Sequence, residues 1–170
     1  MTVDPKLLTG LGAALSIFLS GTGSAIASAH SGVYAIRSQD TQGLKGLVPI
    51  VISGVLSIYG IIVSIILSSK FQKELTEEDG YRNLSAGLSV GLACWASGWG
   101  MAKFINQCNE QGQEHRTTPT TTQMTEPLVG TARIAHFAVP PEPNTIFLMV
   151  LVFLEAIGLY GLIVALFLMG

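Results

Sequence analysis

Charge is scarce in this sequence. Asp, Glu, Lys and Arg supply 12% of its 170 residues while hydrophobic residues supply 49%. An ordinary soluble domain carries about twice that charge, so lipid rather than water is the solvent for most of the chain. The charge present is also dispersed: nine Lys and Arg against eleven Asp and Glu leave a net charge of -2. No basic block is available to form a nucleic-acid surface. Cysteine is nearly absent. Cys94 and Cys108 lie on one predicted helix and make neither a disulfide framework nor a zinc spacing. His30, His115 and His136 are scattered without metal-ligand spacing, so no metal is expected. No Walker lysine, nucleophile elbow or glycine-rich phosphate loop follows a strand pattern. The chain therefore has no ATP site of its own, and no cofactor is expected.

What remains is apolar helix. Segments at about 9–35, 47–69, 82–106 and 145–169 each reach the roughly 20 residues that cross a bilayer as helix. The breaks between them hold nearly all the charge. Arg37, Asp40 and Lys45 mark the first; Lys73, Glu74, Glu77, Glu78 and Asp79 mark the second, which ends in the breaker Gly80. This divides the chain into a first transmembrane hairpin at 1–70, a charged linker at 71–81 and a second hairpin at 82–170. Within the second hairpin, 107–144 is predicted as an extended irregular loop, from its run Thr117-Thr118-Pro119-Thr120-Thr121-Thr122 and from Pro140-Pro141-Glu142-Pro143. The first segment has one Lys ahead of it, no short apolar core and no cleavage site, so it is expected to be a mature helix. Lys and Arg divide almost evenly between the two sides, and positive-inside asymmetry does not set the orientation.

The two hairpins repeat one another. Tyr59-Gly60-Ile61-Ile62-Val63 lies over Tyr160-Gly161-Leu162-Ile163-Val164, and Ser20-Gly21-Thr22-Gly23 lies over Ser97-Gly98-Trp99-Gly100. In the third segment Gly87, Gly91, Gly98 and Ala102 form one stripe of a 3.6-residue helix; in the first, Gly10, Ala14, Gly21 and Ala25 do the same. Such stripes let helix backbones approach closely. Generic bundle packing would account for one of them. Two at the same phase of a repeat predict inner helices 1 and 3, with the bulkier helices 2 and 4 outside.

One residue carries chemistry. Of the eleven acidic residues, all but Glu155 lie in tails, linkers or helix ends. Glu155 is about nine residues into the last segment, roughly 14 Å deep at ~1.5 Å per residue, close to the bilayer midplane. A charge there costs about 2.5–3.5 kcal/mol, which a carboxyl avoids by binding a proton. A carboxyl that is neutral in lipid and ionised beside a cation or water is a proton carrier. The other reading is a buried glutamate that only hydrogen-bonds a neighbouring helix. No basic residue sits well inside the spans, so a cation meeting Glu155 must come from another polypeptide.

The run Leu154-Glu155-Ala156-Ile157-Gly158-Leu159-Tyr160-Gly161-Leu162-Ile163-Val164-Ala165-Leu166 closely resembles the last helix of V-type ATPase proteolipids of the subunit c group, the 16 kDa proteolipid family. Ala86-Gly87-Leu88-Ser89-Val90-Gly91-Leu92, Val48-Pro49 and Ile58-Tyr59-Gly60 support the likeness. The resemblance implies a ring of proteolipid copies or paralogues in a vacuolar or other acidic endomembrane, turned by a soluble ATPase motor. Each ring glutamate would exchange protons with half-channels where subunit a supplies an arginine, and central-stalk subunit d would bind the ring. Gly54, where the c″ type carries a carboxylate, points to a c-type arrangement. Ile52, Val55, Leu56 and Met101 stand where sodium-transporting relatives carry polar groups, so no sodium cage is expected. Tyr59 matches a family tyrosine near the carboxylate, which implies a hydrogen bond to Glu155; plain packing is the alternative.

The chain departs from the family at 107–144, where relatives have a short glycine-rich turn. This suggests an added docking surface; a ring member with a mainly structural or stalk-docking role is the alternative to a proton carrier. An unrelated tetraspan scaffold or channel is a further alternative that the Glu155 motif opposes. Trp95 and Trp99 are i, i+4 neighbours expected to pack or to touch lipid. Asn83-Leu84-Ser85 fits a glycosylation sequon, but its place at a helix mouth predicts no modification.

Overall fold

The computed structural model describes residues 4–42, 46–72, 74–117 and 145–170, with the backbone alone at 37–42 and 111–117. Four helices account for nearly all of them: α1 (Pro5–Gln42), α2 (Val48–Lys70), α3 (Glu77–Thr117) and α4 (Thr145–Met169). The class is all-α, as the apolar runs predict. Pro49 falls in the first turn of α2, where its missing N–H has no helical partner to lose. Thr76 opens α3 with a reciprocal cap. Its hydroxyl and backbone N–H donate to Asp79 Oδ2 at 2.7 and 3.1 Å, and Asp79 N–H donates back to Thr76 Oγ1 at 3.3 Å.

The helices overrun the expected boundaries. At ~1.5 Å per residue, α1 and α3 are about 57 and 61 Å long, roughly twice the bilayer core. Residues 107–117, predicted as irregular loop, continue α3 instead. The stretch 106–116 is rich in Gln and Glu, which favour helix, and it extends a helix already nucleated, so only propagation remains. The remainder of the predicted loop, 118–144, lies outside the described residues.

Among the described helices, Pro5–Ile36 of α1, all of α2 and all of α4 are long and apolar enough to cross a membrane; α3 falls short of the same measure. Its central stretch consists largely of Gly, Ala and Ser, with Trp95 and Trp99 among them. Such residues serve helix packing more than lipid solubility. Protein covers much of that surface: Ala86, Val90, Cys94, Met101 and Ile105 are fully buried.

Helices α1 and α3 run parallel and in close contact. A Cβ on Gly87 would land on the Gly12 carbonyl, and one on Gly98 on the Gly23 carbonyl; a Cβ on Gly23 would lie 2.6 Å from Cys94 O. The small-residue stripe is therefore real on α3 and rotated on α1. Gly12 and Gly23 make the close approach, whereas a Cβ on Gly10 would meet only the Phe71 ring at 3.3 Å and one on Gly21 nothing within 4 Å. A Cβ on Gly91 would lie 3.0 Å from Leu19 Cβ.

Helix α2 packs on α1, α4 packs on α3, and α2 and α4 meet, whereas α1 reaches α4 through the stacked rings of Tyr34 and Phe147, 5.2 Å between centroids. This leaves two layers, α1 with α3 and α2 with α4, the pairing expected of inner and outer helices. Serines join α2 to α1. Ser24 Oγ donates to Ser53 O at 2.9 Å, Ser28 and Ser53 hydroxyls pair at 2.9 Å, and Ser16 Oγ donates to Gly60 O at 3.2 Å. The layers are tied near their ends as well. Lys70 Nζ donates to Met169 O at 2.5 Å, and Asn83 Nδ2 donates to Thr9 Oγ1 at 3.1 Å. Asn83 is 2% exposed, so the sequon asparagine is an internal packing residue with no room for a glycan.

Candidate functional site

The geometry around Glu155 begins with how α4 is seated. Its buried face is Leu151, Gly158, Gly161, Leu162, Ala165 and Met169, residues recurring at helical spacing. Gly161 lies against α3 so closely that a Cβ would strike Ala93 Cβ. At Gly158 a Cβ would lie 2.7 Å from Leu56 Cδ2 of α2 and 3.5 Å from Cys94 Sγ of α3. These two glycines let α4 settle into the groove between α2 and α3. Seated so, α4 carries Glu155 half-buried beside that face rather than fully toward the outside.

From α2, the half-buried Tyr59 reaches across, and its hydroxyl donates to Glu155 Oε1 at 2.8 Å. The bond joins the two hairpins, since Tyr59 belongs to the first and Glu155 to the second. One turn toward the N-terminus of α2, Leu56 is fully buried against Gly158 and closes the site on that side. From α3, Ser97 Oγ donates to the Leu154 carbonyl at 2.6 Å, next to the carboxylate in sequence. Cys94 is fully buried in the same core, with Ile52, Tyr59 and Leu154 partly buried against it.

This arrangement fixes a carboxyl in a mostly apolar setting by one directed donor and leaves part of it accessible. The tyrosine hydroxyl donates and the carboxyl oxygen accepts. Across membrane helices such bonds average only about 0.6 kcal/mol and reach about 1.7. The carboxyl is thus oriented without being locked.

The remaining sequence-predicted residues divide. Met101 and Leu56 are fully buried and Val55 and Ile52 are half-buried, so apolar side chains occupy the four positions. A Cβ on Gly54 would meet nothing within 4 Å, so that position is open. Gly87, Gly91 and Gly98 seat α3 against α1, away from the carboxylate. Trp95 and Trp99 are exposed, 43% and 51%, and Lys103 Nζ lies 4.6 Å over the Trp99 ring. They form a separate face of α3. Sequence reasoning did not single out Gly12, Gly23, Leu56 as a neighbour of Gly158, or Ser97. The only signal for Ser97 is its place in the repeat over Ser20.

No family model matches the chain. Individual relatives do. The chain is 31% identical to V-type proton ATPase subunit c′ of Candida glabrata over 163 residues, covering 92% of this chain and 84% of that protein. It is 30% identical over 161 residues to subunit c of Candida tropicalis, covering 93% and 85%. With the human V-type proton ATPase 16 kDa proteolipid subunit c the identity is 29% over 161 residues, covering 93% and 88%. Likeness at this level along nearly the whole of both chains, together with four helices in two layers and an acid in the last of them, makes the chain a member of the V-type proton ATPase proteolipid subunit c family.

Proposed function

We propose that this chain is a proton-carrying subunit of the membrane rotor ring of a V-type ATPase, with Glu155 as the carrier and Tyr59 as the donor that orients it. The observation behind this reading is the 2.8 Å bond from Tyr59 to a half-buried glutamate deep in an apolar helix. Protonated, Glu155 faces lipid without a buried charge. Beside an arginine supplied by subunit a, it releases its proton and becomes the partner of that cation. The weak Tyr59 bond is suited to this exchange because it orients the carboxyl yet yields to a full charge. Each proton moved against the membrane potential stores about 2.3 kcal/mol per 100 mV, so ATP hydrolysis in a soluble motor can drive several. Ile52, Val55, Leu56 and Met101 add no side-chain oxygen around the carboxylate, which favours a proton over sodium.

Other proteolipid copies or paralogues complete the ring, central-stalk subunit d binds it, and the membrane is vacuolar or of another acidic organelle. A docking role alongside transport is favoured by one observation: α3 continues as helix to Thr117, beyond the bilayer core. The test is ATP-driven acidification of vesicles containing wild type or Glu155→Gln, with assembly checked by pull-down. Acidification falling to background in an assembled Glu155→Gln complex is the expected result; acidification at the wild-type rate would overturn the reading.

A further inference from the structure

Most serines in these helices satisfy their hydroxyls within their own helix. Ser20, Ser57 and Ser69 each donate to the carbonyl three residues back, at 3.2, 2.8 and 2.7 Å, and Ser31 donates to the carbonyl four residues back at 2.8 Å. That is the default for serine in a helix interior. Ser97 departs from it, as Ser24 and Ser28 do where they meet Ser53. Its hydroxyl donates out of α3 to the Leu154 carbonyl of α4 at 2.6 Å, and Ser97 is 1% exposed. Leu154 precedes Glu155, and in an α-helix its carbonyl is the acceptor for the Gly158 N–H. Gly158 is in turn the residue pressed against Leu56.

The Ser97 bond therefore fixes the rotation of α4 at the turn that carries the carboxylate. Adjacent residues on a helix are separated by about 100°. With the Leu154 carbonyl held to α3, the Glu155 side chain emerges toward α2 and meets Tyr59. If this turn of α4 rotates, Leu154 leaves α3 and Glu155 leaves Tyr59 together.

We infer that Ser97 is a positioning residue for the carrier: through its bond to the Leu154 carbonyl it holds the α4 turn in the phase that presents Glu155 to Tyr59. This rests on the reading of Glu155 as the proton carrier, but the placement is measurable without transport. The competing account is that Gly158 and Gly161 alone seat α4, leaving Ser97 as a satisfied core hydroxyl.

The experiment is carbodiimide labelling of Glu155 in assembled complexes, followed by mass spectrometry of the α4 peptide. A lipid-soluble carbodiimide adds to a protonated carboxyl that is free to face the membrane. Ser97→Ala is expected to raise the labelling rate about threefold, the factor equivalent to ~0.6 kcal/mol for one interhelical bond. Ser97→Thr, which keeps the hydroxyl, should restore the wild-type rate. In a Tyr59→Phe background, Ser97→Ala should add nothing, because both changes free the same side chain. Wild-type labelling of Ser97→Ala, or full additivity with Tyr59→Phe, would overturn the inference and leave the glycines as the seat of α4. Loss of the carrier reading shows separately, as undiminished acidification by Glu155→Gln.

Discussion

The two hairpins share a sequence plan and differ in what they do with it. The repeat that lays Tyr59 over Tyr160 also lays Gly54 over Glu155. The first hairpin thus holds a tyrosine without its own acid, and the second holds an acid whose own tyrosine faces away. Tyr160 is 60% exposed, whereas Tyr59 is half-buried and bonded to Glu155. Tyrosine from one repeat serves the acid of the other. With Gly54 where the repeat would place an acid, a single site spans both hairpins, so neither hairpin alone contains it.

The comparison breaks most completely at the helix pair that brings the hairpins together. Gly98→Ala places a Cβ on the Gly23 carbonyl, with backbone on both sides and nothing flexible to yield. Separation of α1 from α3 should cost at least ~1–3 kcal/mol, seen as a lowered thermal midpoint and poor assembly in detergent. Gly21→Ala, the stripe position with nothing within 4 Å inside the chain, should leave the thermal midpoint of the chain unchanged. Equal loss from both would mean that the stripe, rather than the observed crossing, governs packing.

A smaller effect sharpens the asymmetry of the tyrosines. Tyr59→Phe removes the donor to Glu155 and should slow acidification about three- to eighteenfold, the range set by interhelical bonds of ~0.6–1.7 kcal/mol. Tyr160→Phe removes only an exposed hydroxyl and should leave the rate unchanged. Identical behaviour of the two variants in the same vesicle assay would remove the distinction between the repeats.

The smallest effect lies outside the membrane, where the hairpins join. Donation from the Thr76 side chain and backbone holds the Asp79 carboxyl below its ordinary range. Because the folded value lies below the unfolded one, the cap contributes fully above the unfolded value and is lost as pH falls through the folded one. Below about pH 4 the first turn of α3 should fray. Amide hydrogen exchange at 77–80 should then accelerate, while exchange in the interior of α2 keeps to the ordinary pH dependence of amide chemistry.

How much of this was legible in the sequence depends on the physical scale of each feature. The helices announce themselves because apolar runs of this length have few other solutions in lipid. Boundaries were less legible. The charged residues after 36 and after 106 mark where lipid ends, but a polar helix continues in water once it is nucleated, as α1 and α3 do. Glu155 was evident as the one acid deep in a span, and Tyr59 was indicated only by resemblance.

Periodicity supplied a stripe of small residues on α1 but not its rotation against α3. The repeat pairs Gly10 with Gly87, while in space Gly12 faces Gly87. Repeat equivalence records common ancestry of position; contact depends on how two cylinders are offset where they cross. Ser97 was illegible for a related reason. A serine in a small-residue stretch gives no sign of whether its hydroxyl turns back to its own helix or across to another.

By itself, the sequence determined the solvent, the helical class, the duplicated hairpin, the unique membrane acid and the family. These follow from composition and order along the chain, and lipid permits few alternatives. Only the tertiary structure decided which glycines touch, which tyrosine meets Glu155 and which carbonyl Ser97 holds. Those depend on the rotation and offset of one helix against another, set by collective packing of side chains far apart in sequence.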